Sequence, residues 1–348
     1  MKPTNTKTVT IGCWGIIFPC LLAACDPTGT TDETETDRAI GFSATTTETS
    51  SPRAITESTT EPLTGFGVFA SYTGSADWNS DTDTPNFMYN QLVSRADQSA
   101  SWTYTPIKYW PNTPGEKLSF FAYAPHSGNI TSYISPSANT RAGYPFITYT
   151  VPTAENSQID LLAAAPQMNK KKADGQKITF SMFHALTKVT IKAKNGESHT
   201  VKTITSLIIS APAGGTLTFH VPTSGEKPFI WSNISTTNTS FKAAVTTDNP
   251  ISIENTPKDL CTFYLLPIGK PTSVSLTLGY TFSRPSSSDT DNTTATITLT
   301  DTPEWTPGTS LTYTLSVSGK ELAIESADKD ISWADGGTTD GEIETTTP

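Results

Sequence analysis

From Leu63 onward the apolar residues recur with period two or in short β-branched runs, and each run is bounded by Gly, Pro, Asn or Asp. That rhythm admits strands and excludes amphipathic helices, because a helix would need apolar residues three and four apart with caps at its ends. A first set of strand segments covers 65–72, 87–94, 117–124, 146–151 and 161–165. A second covers 178–194, 203–210, 216–221, 261–266, 273–282, 294–300, 311–317 and 321–324. The expected fold is all-β, with two sandwich-like domains meeting near the polar stretch 169–176. The Lys170-Lys171-Lys172 cluster, followed by Asp174 and Gly175, reads as a solvated turn in that connection.

The start of the chain has a different character. Lys2 and Lys7 precede an uncharged run over 9–24, which ends Leu22-Ala23-Ala24-Cys25. The run is shorter than the about 20 apolar residues that span a bilayer, and Gly12, Gly15 and Pro19 interrupt it. It reads as a lipoprotein signal peptide over 1–24, removed so that Cys25 takes the lipid. Cys13 and Cys20 leave with the leader, and Cys261 is the one thiol left in the body. No internal disulfide can form, so stability must come from a packed core.

Residues 25–62 are rich in Thr, Ser, Glu and Asp. Such a stretch buries too little surface to offset its ordering entropy, and it is expected to act as a tether. One apolar island, Ile40-Gly41-Phe42, lies in it between two Arg-Ala bonds, Arg38-Ala39 and Arg53-Ala54. The body is then expected as an N-terminal domain over 63–172 and a C-terminal domain over 173–337, with a disordered tail at 338–348.

Candidate chemistry is sparse. His126, His184, His199 and His220 are scattered, and no HExxH, CxxC, GxSxG or phosphate-cradling glycine loop occurs. Asp77, Asn79, Asp81 and Asp83 alternate like calcium ligands, but Thr82 and Met88 stand where an EF-hand loop needs Gly and Glu. Cys261 enters an apolar strand and reads as core filler. Trp102, Tyr104, Tyr109 and Trp110 could stack a ligand, yet their alternation with polar residues fits a strand that plants aromatics in a core. No metal, cofactor or enzymatic activity is expected. A formal net charge of −10 also argues against nucleic acid as a partner.

Several stretches in fixed order resemble the fimbrillin family, the Mfa-like pilus subunits of Bacteroides-type bacteria. They are Phe87-Met88-Tyr89-Asn90-Gln91, Ser101-Trp102-Thr103-Tyr104-Thr105-Pro106, Lys108-Tyr109-Trp110-Pro111 and Leu118-Ser119-Phe120-Phe121-Ala122-Tyr123-Ala124-Pro125. Further along come Asp160-Leu161-Leu162, Phe183-His184-Ala185-Leu186-Thr187-Lys188-Val189, Tyr264-Leu265-Leu266-Pro267 and Ile331-Ser332-Trp333-Ala334-Asp335-Gly336. The resemblance implies two transthyretin-like β-sandwich domains and an outer-membrane lipoprotein that reaches the cell-surface pilus after an arginine-specific protease cuts it.

The cut removes the first strand, and a neighbouring pilus subunit then fills the groove with one of its own. On this sequence the removable strand carries Ile40 and Phe42, and Arg53-Ala54 is the expected bond, with Arg38-Ala39 as runner-up. Candidate plugs of a donated strand are Leu322, Ile324, Ile331 and Trp333, which equally fit the last strand of their own domain. The other reading of the chain is a monomeric surface lipoprotein that binds glycan or peptide and keeps its lipid.

Overall fold

The computed structural model describes residues 38–46, 63–129, 132–175, 177–198, 200–283, 290–300, 302–331 and 333. These fold into four β-sheets, as the period-two pattern requires. The leader, Cys25 and the Arg53-Ala54 bond lie outside the described residues.

The first sheet contains β1 (Gly41–Thr46), β2 (Gly65–Tyr72), β3 (Met88–Ser94), β4 (Leu118–Ala124), β7 (Leu162–Ala164), β8 (Gln167–Lys170) and β9 (Lys177–His184). Its order is β1-β9-β7-β4-β2-β3, with β8 paired to β4. Every residue of β4 is buried, because both faces of this sheet are covered. Phe121 and Tyr123 point to one side, with Phe69, Leu161 and Ala163. Phe120 and Ala122 point to the other, with Phe66, Val68, Phe180 and Met182. Alternation along one strand thus feeds two separate cores.

The second sheet covers the first of these faces. It holds β5 (Ile134–Pro136), β6 (Phe146–Thr150), β12 (Gly214–Phe219) and β13 (Phe229–Ser232), in the order β13-β12-β6-β5. Its Ile147, Tyr149, Leu217 and Phe219 join Phe69 and Phe121 in one cluster.

A third sheet holds β10 (Thr187–Asn195), β16 (Lys258–Leu265), β19 (Ser310–Ser318) and β20 (Glu321–Asp330), in the order β16-β10-β19-β20. The fourth holds β11 (Val201–Pro212), β14 (Asn238–Lys242), β15 (Ile251–Ile253), β17 (Ser275–Ser283) and β18 (Thr290–Thr298). Here the order is β14-β11-β17-β18, with β15 also on β11. Val189, Ile191, Tyr313 and Leu315 from the third sheet share a core with Ile204, Leu207, Leu278 and Tyr280 from the fourth.

The sheets do not divide the chain at 172/173. β9, beyond that point, completes the first sheet by pairing with β7 and β1, and the chain changes sheets between His184 and Thr187. The segment expected as one run over 178–194 is therefore two strands. Further on, the hairpin β12–β13 leaves the fourth sheet after Pro212 and pairs with β6, which supplies the apolar surface that the first sheet needs on that face.

Candidate functional site

The apolar island of the sequence leads into β1, an edge strand of the first sheet, with Ile40 just before it. β1 runs parallel to β9, with Gly41 opposite Lys177, Phe42 opposite Ile178 and Thr46 opposite Met182. Ile40, Phe42 and Ala44 turn inward and are 1%, 4% and 8% exposed, while Gly41 and Ser43 turn away. The Phe42 ring lies 5.1 Å from Tyr104 and 5.9 Å from Phe120, both edge-on, and 6.2 Å from Phe180 in a stacked arrangement. Burying one Ile and one Phe contributes about 3–6 kcal/mol before ordering costs, so the strand is a substantial part of this core.

The segment is gripped on its other side as well. The Ile40 N–H donates to the Lys108 carbonyl at 2.9 Å, and the Trp110 N–H donates to the Arg38 carbonyl at 2.9 Å. The Tyr104 hydroxyl accepts from the Lys108 N–H at 3.2 Å and donates to the Ile40 carbonyl at 2.9 Å. Burial raises the Tyr104 phenol above its ordinary value, so it stays protonated and able to donate. Trp110 is buried, and the Trp102 ring packs edge-on against Phe66 at 4.8 Å. The aromatic cluster seen in the sequence is thus the cover of the β1 core, with Tyr109 38% exposed.

The sequence has two further Arg-Ala bonds, Arg95-Ala96 and Arg141-Ala142, and the three that lie in the described residues differ in their surroundings. Arg38-Ala39 is tied down, since the Arg38 carbonyl is hydrogen-bonded and Ala39 bridges to Tyr109. At Arg95 the guanidinium donates to the Leu63 and Gln98 carbonyls, both at 3.0 Å, and lies over the Trp102 ring. Arg141 donates to the Tyr144 carbonyl at 3.1 Å and covers Phe146. Between β1 and β2 the sequence offers a single arginine, Arg53.

The candidate donor residues sit at the other end of the chain. In this single subunit β20 is an antiparallel edge strand on β19, with Leu322 opposite Val317 and Ile324 opposite Leu315. Leu322 and Ile324 are partly buried against their own core. Ile331 is 63% exposed, and Trp333 stacks on His184 at 4.0 Å. Two of the four candidates therefore have a place in their own sandwich and two lie beyond its last strand.

The remaining polar candidates have structural partners. His184 Nδ1 is 2.6 Å from Asp160 Oδ2, His126 Nε2 is 2.9 Å from the Asn90 carbonyl, and His220 pairs with Glu226. Asp77 pairs with Lys117, while Asp83 and Asn79 accept backbone N–H groups of their own turn. His199 lies outside the described residues. Among the described residues, no three His, Cys, Asp or Glu side chains are grouped to hold a metal. Cys261 is buried, and burial pushes its thiol well up.

A family model described as fimbrillin-like matches residues 52–330. The curated fimbrium subunit Fim1C of Phocaeicola vulgatus is 34% identical over 186 residues, which cover 50% of this chain and 48% of that protein. The chain thus spans about half the length of the curated relative it matches. The crystal structure of a fimbrial protein from Bacteroides vulgatus superposes with a TM-score of 0.62 at 25% identity, covering 84% of this chain and 99% of the other.

Proposed function

The chain belongs to the fimbrillin-like family, and from that premise we propose that it is a non-enzymatic subunit of a cell-surface fimbria. It is exported as a lipoprotein with the lipid on Cys25, cut by an arginine-specific protease at Arg53-Ala54, and assembled with other pilus subunits by strand exchange. The observation that carries this reading is the placement of β1. A short edge strand fills the core with Ile40 and Phe42, yet it joins the body through a stretch that holds one arginine. Removing it leaves an apolar groove and the unpaired edge of β9, a defect that another strand would repair in backbone and side chains at once. Arg38-Ala39 is the poorer site, because its backbone is paired and a cut there leaves Ile40 and Phe42 attached.

The test is assembly after cleavage. Protein cut at Arg53 should form ladders that resist mild denaturant, and Arg53→Ala should stay monomeric under the same treatment, as read by native mass measurement. Cut protein that stays monomeric at high concentration overturns assembly by this groove and favours a monomeric surface lipoprotein.

A further inference from the structure

Cutting the chain between β1 and β2 need not empty the groove. The segment 38–46 is bracketed on two sides, although an edge strand ordinarily has one side free. Along 41–46 it pairs with β9, and at 38–40 it pairs with the Lys108–Trp110 backbone. Both backbone groups of Ile40 are engaged, the N–H by Lys108 and the carbonyl by the Tyr104 hydroxyl. None of these contacts depends on the peptide bond at Arg53.

We infer that Tyr104, with the Lys108 and Trp110 backbone, is a clamp that keeps residues 38–46 seated after cleavage, so that an incoming strand must displace them. The inference rests on the reading above that the chain is cut between β1 and β2. Cleavage then arms the subunit, and exchange follows only when a competing strand arrives. The two grips also set a direction. A cut at Arg53 frees the chain beyond Thr46, so fraying begins where Thr46 faces Met182 and reaches the clamp at Ile40 last. An incoming strand therefore engages the Met182 end of β9 first and captures the Ile40 site at the end of its entry.

Tyr104 is a positioning residue that can be tested cleanly. Tyr104→Phe keeps the ring against Phe42 and deletes only the hydroxyl that ties Lys108 to Ile40. The full chain, with a site-specific protease sequence in place of residues 50–55, is cut to completion, and release of the N-terminal fragment is followed by gel filtration and mass spectrometry. The engineered site does not depend on Arg53, so failure of the natural cleavage and failure of the clamp give different results.

In the wild-type background the fragment should co-elute with the body. Tyr104→Phe should release it about fivefold faster, the equivalent of one net hydrogen bond, whereas Tyr109→Phe should behave as wild type. Immediate loss of the fragment from the wild-type body, or equal retention by Tyr104→Phe, overturns the clamp. Hydrogen exchange on the cut wild type gives an answer that needs no variant. The Ile40 amide should exchange more slowly than the Thr45 amide, and the reverse gradient overturns the proposed order of release.

Discussion

The indole of Trp333 stacks on the imidazole of His184 at 4.0 Å, and His184 is the last residue of β9, the strand that pairs with β1. Asp160 Oδ2 holds the imidazole at Nδ1, 2.6 Å away. Trp333, the last of the described residues, is thereby held beside the strand that an incoming segment would have to meet. Beyond β20 the chain is held by the contacts of the Trp333 ring with His184 and, at 5.9 Å, with Tyr264, while Ile331 is turned to solvent.

That arrangement separates two variants. Ile331→Asp changes an exposed side chain and should leave the melting temperature of the uncut protein unchanged. Ile324→Asp places a carboxylate against the core and should lower it, because burying an unpaired charge costs several kcal/mol. If Ile331 is a plug of the donated strand, cut Ile331→Asp should remain folded and fail to form ladders. Ladders as abundant as wild type would remove Ile331 from the set of plugs.

Phe42 offers a test of how much β1 contributes while it is attached. Phe42→Ala should destabilise the uncut protein by about 3–5 kcal/mol, the usual cost of deleting a buried phenylalanine. The same substitution should make no difference to the body once the fragment has been displaced. Urea unfolding of both forms measures this, and an uncut Phe42→Ala protein as stable as wild type would mean that β1 does not hold the core.

Anchoring is tested at the other end of the tether. Cys25→Ala should abolish fatty-acid labelling and delivery to the outer membrane, since the sulfur is where the lipid would be attached. Undiminished label in that variant would sink the lipoprotein reading.

The all-β fold was legible because alternation marks strands wherever one face is buried, as in β10, β12 and β19. It failed where strands are short or solvated. β14 turns only Phe241 fully inward, and β20 runs on from Ile324 to Asp330 through residues that carry no apolar rhythm. The island at Ile40 and Phe42 stood out because its flanks are polar. Its partner did not, since β9 lies more than a hundred residues away and parallel pairing leaves no turn signal between the two strands. Separation in sequence, 64 residues in this case, also hid the role of Tyr104. The sequence shows an aromatic in a core-like pattern, and nothing local says that its hydroxyl meets the carbonyl of Ile40. The change of sheets after His184 was hidden by continuous strand-like sequence, and the lysine-rich stretch at 170–172 leads from the end of β8 toward β9, two strands of the same sheet.

A last prediction concerns acid stability. Lys202 is fully buried, and its ammonium donates to Asn195 Oδ1 at 2.8 Å, Glu197 Oε2 at 2.7 Å and Thr200 Oγ1 at 2.9 Å, so its three protons meet three acceptors. Asn195 ends β10 and Lys202 lies near the start of β11, so this cluster joins the third and fourth sheets at one end. The hydrogen bond from Lys202 holds the Glu197 carboxyl below its ordinary value, and partial burial opposes the shift. A depressed carboxylate adds stability that is present above its unfolded value and is lost as pH falls through the folded one. Glu197→Gln should therefore flatten the acid limb of the stability profile while leaving the neutral limb nearly parallel to wild type. Lys202→Ala should be far worse at pH 7, by about 3 kcal/mol, because it removes the buried ammonium shared by Asn195, Glu197 and Thr200 and opens a void. Urea midpoints taken from pH 7 down to pH 3 measure both effects. An acid limb as steep in Glu197→Gln as in wild type would assign the acid sensitivity to other carboxylates.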